Sequence, residues 1–389
     1  MTFIHTADWQ IGKPFAGIAD DDKRAAVRKE RIEAIVRLGR IAQERRASFM
    51  LVAGDVFDSA TPDKATVSAM LAAVGGIGLP VYAIPGNHDH GGAGSVWEQA
   101  FFRREQEALA PNLHVLLKAE PVECDGVVIV PCPLLRKKEP LDLTAWLRAS
   151  QFQYDGLPAD KPRIVLAHGS VQDFQGGASA DDEESNSSEN VIDVSRLPED
   201  ELDYIALGDW HGVKQVGAKA WYAGTPETDR FPKGDGNMPG HALVVEATRG
   251  QPSAVETVKT GVLGWHEHSH AFFGDDALTV FDAWVADMFG ARTGTDLLRL
   301  TLEGSLGIEA FGQLERTLET LDSRLLRLKC SNRVSVAPTE AELEKLTRQT
   351  GNPLIAGVAA QLMEEAGGTD EQAEVARLAL RELYRKVCA

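Results

Sequence analysis

Apolar residues in this chain come in short unbroken runs, and each run stops abruptly at a polar loop. Phe49-Met-Leu-Val-Ala53, Val81-Tyr-Ala-Ile84, Arg163-Ile-Val-Leu-Ala167 and Tyr204-Ile-Ala-Leu207 have the length of strands buried on both faces. They are ended by Gly54-Asp55, Pro85-Gly86, His168-Gly169 and Gly208-Asp209. Residues 1–8 read as a fifth such strand, with Phe3 and Ile4 apolar and a polar loop beginning at Asp8. Between the runs the period changes: Asp22–Arg46 carries Val27, Ile32, Ile35, Val36, Leu38 and Ile41 at mostly helical spacing, and a second helix is predicted from about Pro62 to Val74. Buried strands alternating with helices predict an α/β core.

Past His241-Ala-Leu-Val-Val245 that core is expected to finish near residue 265, giving a first domain over 1–265. Leu297–Leu302 and Leu325–Val336 read as strands around a helical stretch, Leu306–Leu321, so 266–338 reads as a small α/β cap. After Pro338 three amphipathic helical segments, Thr339–Gln349, Pro353–Ala366 and Thr369–Val387, make a C-terminal helical segment over 339–389, with Thr369 as the N-cap of the last. Gln172–Asn190, which contains Gly176-Gly177 and Asp181-Asp-Glu-Glu184, reads as a mobile acidic loop. No internal repeat is present.

A chain of 389 residues with 43% hydrophobic and 25% charged residues can bury a large core and needs no disulfide framework. Cys124, Cys132, Cys330 and Cys388 have no CxxC spacing, which excludes zinc-ribbon chemistry. There is no basic segment leading into a long apolar one and no run of membrane-spanning length, so a cytoplasmic protein with no membrane partner is expected. The net charge of −18 excludes coating of nucleic acid by general phosphate neutralisation; any nucleic-acid contact must be local, metal-mediated or supplied by a basic partner.

The strand ends carry the chemistry. In α/β folds ligands bind beyond the carboxyl ends of strands, so five loops can converge on one site. They offer Asp8 and Gln10, Asp55 and Asp58, Asn87 and His88, His168, and Asp209 and His211. Two adjacent divalent metals need a bridging carboxylate, further nitrogen and oxygen ligands, and open positions for water and a phosphate oxygen, and this set contains them. Asp8 with Gln10, and Asp209 with His211, would point the same way if the chain stays extended there.

These motifs resemble the calcineurin-like metallophosphoesterase superfamily and, within it, the SbcD-type exonuclease subunits of double-strand-break repair complexes. HTADWQIGKPF, LVAGDVFD, AIPGNHDH, LAHGS and IALGDWHG occur in the family's order, followed by Trp221-Tyr-Ala-Gly-Thr-Pro-Glu227. The resemblance implies a four-layer α-β-β-α sandwich and two metal ions. It makes Asp55 the bridge, places Asp8, Gln10 and His211 on the first ion, and places Asn87, His168 and Asp209 on the second. His88, oriented by Asp58, would protonate the leaving oxygen or stabilise the transition state. Positions 10 and 209 depart from the family, which has histidine at both; an amide oxygen and a carboxylate in their place favour manganese or magnesium over zinc.

The resemblance thus implies a manganese-dependent DNA nuclease that pairs with an SbcC-type coiled-coil ATPase and with a second copy of itself. Two other readings stay open: a phosphodiesterase or phosphatase on nucleotides or other small phosphoesters, which the charge favours, and a catalytically weak regulatory subunit of an ATPase complex. Other candidates have plainer readings. Asp58 could be a helix cap, His5 a satisfied core histidine and His90 an exposed loop residue. His266, His268 and His270 would share one face of a strand but lack a nearby partner except Glu267, and Arg24, Arg28, Lys29 and Arg31 read as a solvated helix face rather than a phosphate-tracking one.

Overall fold

The computed structural model describes residues 1–389 except 125, 151, 172–188, 233–236, 338, 340, 343–352, 367, 369 and 389. All but the last two residues of the predicted acidic loop lie outside the described residues, as do most of the predicted Thr339–Gln349 helix and the Thr369 cap. The chain divides into two compact units, Met1–Gly264 and Trp265–Ala389.

The first unit holds two six-stranded sheets. One has the order β14 (Ala254–Lys259), β13 (His241–Glu246), β1 (Thr2–Thr6), β2 (Phe49–Ala53), β3 (Val81–Ile84), β4 (Leu113–Val115). The other runs β11 (Lys214–Gln215), β12 (Ala220–Tyr222), β10 (Tyr204–Gly208), β7 (Arg163–His168), β6 (Val127–Cys132), β5 (Val122–Cys124). β1 to β4 are mutually parallel, as are β6, β7, β10 and β12. A two-residue ladder pairs β8 (Ser170–Val171) with β9 (Val191–Ile192).

Why the strands read as unbroken apolar runs is visible in β2. Its odd residues Phe49, Leu51 and Ala53 face the second sheet, where Ile129, Ile164, Leu166 and Tyr204 meet them. Its even residues Met50 and Val52 pack on helices α1 (Asp21–Glu44) and α2 (Lys64–Gly75), through Ile35, Leu38, Met70 and Val74. Both faces are dry, so no alternation shows. Each of the larger side chains, Phe49, Met50, Leu51 and Val52, contributes about 1.5–3 kcal/mol by leaving water. Asp20 caps α1 by accepting from Lys23 N at 2.9 Å, and Asp63 caps α2 by accepting from Thr66 N at 2.8 Å, so the cap of α2 is Asp63 and not Asp58. A third helix, α3 (Ala100–Leu109), adds Phe102 to the same layer.

The outer face of the second sheet, including Val128, Val130, Val165 and Leu207, is covered by Leu147, Leu197 and Leu202. Among the described residues this fourth layer consists of 3-10 turns (Ala145–Arg148, Tyr154–Gly156, Val194–Arg196) and loops rather than α-helices. Pro140, Pro158, Pro162 and Pro198 punctuate the segments that build it, and proline interrupts helical hydrogen bonding. The two packed sheets and the helical layer on the first are those of the expected sandwich, and its second helical layer is replaced by turns and loops among the described residues.

In the second unit β15 (Gly264–Phe273), β16 (Asp296–Leu306) and β17 (Arg327–Val336) form a sheet in that order, with α4 (Asp276–Met288) and α5 (Ile308–Arg324) between successive strands. Phe272, Phe281, Leu298, Leu300 and Leu314 make its core. α6 (Pro353–Ala366) and α7 (Glu371–Cys388) join Ala359, Leu380 and Tyr384 to Ile308. No helix among the described residues is long and apolar enough to cross a membrane.

Candidate metal centre

Parallel strands β1, β2 and β3 of one sheet and β7 and β10 of the other deliver their following loops to one end of the sandwich. The loops after β1 and β2 are tied side by side: Asp8 N donates to Gly54 O at 3.1 Å, Gln10 N to Asp55 O at 2.8 Å, and Ile11 N to Val56 O at 2.9 Å. The chain does not stay extended there. Asp8 and Gln10 have φ of 52° and 41°, so simple strand alternation does not aim their side chains; Asp55 (52°) and Asp209 (107°) also have positive φ. Such backbone costs roughly 1–3 kcal/mol per residue and persists only where the surroundings over-determine it, as at functional sites. The approach is close enough to require glycine at 86, where a Cβ would overlap the Asp55 carboxylate.

Asp8, Asp55 and His168 each place a potential ligand atom within 4.8 Å of the others, and all three are buried. His168 Nδ1 lies 2.8 Å from Ala53 O, which fixes it as the donor and leaves Nε2 facing the centre. Nε2 is 2.9 Å from Asn87 Oδ1, 3.6 Å from Asp55 Oδ1 and 3.9 Å from Asp209 Oδ1. The Asn87 oxygen faces acceptors only; turned over, the amide nitrogen would donate to Asp55 Oδ1 and Oδ2 at 3.2 and 3.1 Å. A cation shared by these groups, or a proton on His168 Nε2, satisfies the arrangement as it stands. The ligand atoms of Asp8, Asp55 and His168 are close enough together to surround a divalent ion.

Electrostatics point the same way. Burial pushes Asp8 up to about 8; His168 opposes this, while Asp55 and Asp209 reinforce it. Burial pulls His168 down, but the carboxylates of Asp55, Asp8 and Asp209 outweigh it and hold the imidazole at about 9. Asp209 is also raised, chiefly by burial; its main-chain N–H lies 3.2 Å from both Asp8 oxygens, and Ser170 Oγ donates to its Oδ2 at 2.7 Å. Carboxylates crowded this closely need positive charge between them.

Gln10 and His211 are placed differently. Gln10 Oε1 accepts from Lys13 Nζ at 2.7 Å, and Gln10 Nε2 lies 3.3 Å from His211 Nε2. The His211 ring has Arg230 Nη2 at 2.7 Å from Nδ1 and 3.1 Å from Nε2, with Asp229 Oδ2 at 3.1 Å from Nδ1. The structure thus gathers Asp8, Asp55, Asn87, His168 and Asp209 into one cage, and it turns Gln10 and His211 toward a cluster of Lys13, Asp229 and Arg230. Burial lowers His211 to about 4, with Arg230 adding to the effect.

His88 stands beside the cage. Its main-chain N–H donates to Asp55 Oδ1 at 2.9 Å, its Nδ1 is 3.0 Å from the Asp58 main-chain oxygen, and its Nε2 is 3.9 Å from Asp55 Oδ2. Asp58 therefore orients His88 through its carbonyl. Its carboxyl is raised by burial against the opposing charges of Lys13, His88 and Arg31.

Two structural supports escaped sequence reasoning. Asp89, buried, accepts from Gly86 N at 2.7 Å and from Phe57 N at 3.1 Å, joining the loops that carry Asn87 and Asp55; burial pushes it up to about 7. Arg31 is not on a solvated face: it is buried, donating to Trp9 O at 2.8 Å, Asp8 O at 3.0 Å and Glu227 O at 3.1 Å. Its spacing from Val27, Ala34, Ile35 and Leu38 marks it as inward. Arg24 and Arg28 donate to main-chain oxygens of Ile18, Lys13 and Pro14.

The remaining histidines lie elsewhere. His5 is buried with Nδ1 at 3.0 Å from Tyr204 Oη and Nε2 at 3.2 Å from Leu207 O. His90 Nδ1 is enclosed rather than exposed. On β15, His266 does have a carboxylate partner, Asp296 at 2.9 Å, while His268 stacks on Trp284 at 3.8 Å and His270 lies 3.2 Å from Ala277 O. Among the described residues they form no candidate metal group.

The family model described as calcineurin-like phosphoesterase matches residues 1–213. Among solved structures, TT1561 of Thermus thermophilus is 12% identical with a TM-score of 0.39, over 67% of this chain and 98% of that one. A second structure is 10% identical, with the same TM-score and coverage.

Proposed function

The chain belongs to the calcineurin-like phosphoesterase family, and on that premise we propose that it is a metal-dependent nuclease of the SbcD type that hydrolyses DNA phosphodiesters in the cytoplasm. The observation that carries the hydrolase reading is the cage of Asp8, Asp55, Asn87, His168 and Asp209 with His88 at its rim. These five residues would hold a divalent ion, which when bound supplies Lewis-acid polarisation of a phosphoryl oxygen and acidifies water. The oxygen-rich donor set, with one imidazole, favours manganese, with magnesium next.

His88 does the proton work. With Nδ1–H held on the Asp58 carbonyl, Nε2 is the nitrogen that faces the centre, and a proton there can pass to the oxygen leaving phosphorus. Asp89 keeps the loops bearing Asp55 and His88 in register. Arg31 holds the Asp8 loop to the main chain of Glu227 from behind.

DNA as substrate, an SbcC-type coiled-coil ATPase as partner and a second copy of the chain rest on the ordered motifs through Glu227 and on their resemblance to SbcD-type subunits. The charge of −18 favours a second reading, a phosphodiesterase or phosphatase for nucleotides or other small phosphoesters. Manganese-dependent hydrolysis of single- and double-stranded DNA, measured beside a panel of small phosphoesters, separates them. Hydrolysis of DNA supports the nuclease; inert DNA beside rapid turnover of a small ester overturns it.

A further inference from the structure

A binuclear centre would require Gln10 and His211 to converge with Asp8 on a second ion. The structure has Gln10 Oε1 and His211 Nε2 facing cations of the chain itself, while His211 Nδ1 donates to Asp229 Oδ2. Lys13 Nζ donates to Gln10 Oε1 at 2.7 Å and to Asp229 Oδ2 at 2.6 Å. Arg230 Nη2 lies within hydrogen-bonding distance of both ring nitrogens of His211, at 2.7 and 3.1 Å. Asp229 fixes the group: its Oδ1 meets Arg230 Nε at 3.2 Å, and its Oδ2 meets both Lys13 and His211 Nδ1. Lys13 and Arg230 thus set an ammonium and a guanidinium where a second divalent ion would have to enter, and like charge repels it. The residues of that half do not fit a metal.

We propose that the centre takes one divalent ion, on the side of Asp55, Asn87 and His168, and that Lys13 and Arg230 are fixed cations occupying the place of a second. This rests on the phosphoesterase reading and deepens it. The side chains of Lys13 and Arg230 are 24% and 28% exposed while Asp229 is enclosed, so the cations are the part of the cluster a phosphodiester can meet. Ammonium and guanidinium groups bind non-bridging phosphate oxygens directly, and a cation held in place by a buried carboxylate needs no reorganisation as charge develops on them. Such a cation cannot acidify water, so that task falls to the single ion. Gln10 fits the arrangement: its neutral carbonyl accepts the Lys13 ammonium, whereas a ligating imidazole would compete with it for space and charge.

Metal stoichiometry tests this without reference to turnover. The full-length protein, stripped with EDTA and titrated with manganese, is followed by electron paramagnetic resonance and calorimetry at equilibrium. The expected result is one manganese per chain with no spin-coupled pair. Two ions per chain, or a coupled spectrum, overturns the inference and leaves the phosphoesterase reading intact; no bound manganese together with no hydrolysis overturns both. The Gln10→His, Lys13→Met, Arg230→Met triple variant should gain a second ion, and a folded triple variant that still binds one shows that the cations are not what excludes it. Lys13→Met and Arg230→Met singly should retain the first ion and lose about 10²–10³-fold in kcat/KM for phosphodiesters, the size of effect seen when one oxyanion donor is removed.

Discussion

Removing the Asp89 carboxylate should loosen the centre without touching a candidate ligand. Its two oxygens accept from Gly86 N at 2.7 Å and Phe57 N at 3.1 Å, both buried. Asp89→Ala leaves two buried donors without acceptors, at about 1–3 kcal/mol each, so a loss of about 2–6 kcal/mol is expected. Asp89→Asn keeps one acceptor but turns an NH2 toward the other N–H, and should lie between wild type and alanine. The freed loops are those of Asp55 and Asn87, and a displacement of about 1 Å at a reacting centre costs on the order of 10²-fold in rate. Urea unfolding and the kcat of a chromogenic phosphodiester read the two effects. For a unit of this size 1 kcal/mol corresponds to about 2–4 °C in Tm, so the alanine variant should melt at least about 4 °C lower. A variant with wild-type Tm and kcat would refute the claim that Asp89 clamps the two loops.

Three further outcomes follow from the same geometry. His88→Ala should lower kcat on DNA by about 10²–10⁴ with bound metal unchanged, and should lower it less on p-nitrophenyl esters, whose leaving group needs no proton; equal losses would remove His88 from the proton-donor role. His5 is held neutral by burial with its pKa near 3 instead of 6.5, so its contribution to stability is present above 6.5 and is lost as pH falls toward 3, on the order of 5 kcal/mol in all. The stability of His5→Gln should fall less steeply over that window, and parallel pH curves would contradict this. After chelation, manganese or magnesium should restore more activity than zinc; rescue by zinc alone would overturn the donor-set argument.

The strands and most of the cage were legible because the same burial that makes them strands makes them unbroken apolar runs, and each run ends where its loop meets the site. Phe49–Ala53 and Val81–Ile84 are found at those limits. Side-chain direction at the loops was not legible: Asp8 and Gln10 leave the extended region, and nothing in HTADWQIG announces it. Arg31 was legible in principle, since it shares the stripe of Val27 and Leu38, but a charge amid charges hides among its neighbours. Partners brought from afar were out of reach. Lys13 meets Asp229, 216 residues on, and His266 meets Asp296, 30 residues on. Departure from the family's histidine at position 10 reads, in the sequence, as a change of metal preference; only the lysine three residues on gives it another meaning.

The crowding of carboxylates makes metal binding a proton-exchange reaction, and its pH dependence has a definite sign. In the metal-free protein Asp8 has a raised pKa of about 8 and His168 one of about 9. A raised pKa stabilises the fold below the group's unfolded value and withdraws that stability as pH rises through the folded value. Asp8 therefore weakens the metal-free fold from about 4 up to 8, and His168 from about 6.5 up to 9. Ligation needs the carboxylate ionised and His168 Nε2 unprotonated, so an ion entering near neutrality must displace at least one proton. Two measurements follow. Calorimetry in buffers of different ionisation enthalpy should show proton release on manganese binding near pH 7. The Tm gain from saturating manganese should grow between about pH 6 and pH 8, because the ion stabilises by mass action and binds more tightly as its ligands deprotonate. A gain that is flat across that range, with no proton released, would mean that the ion does not sit between Asp8, Asp55 and His168.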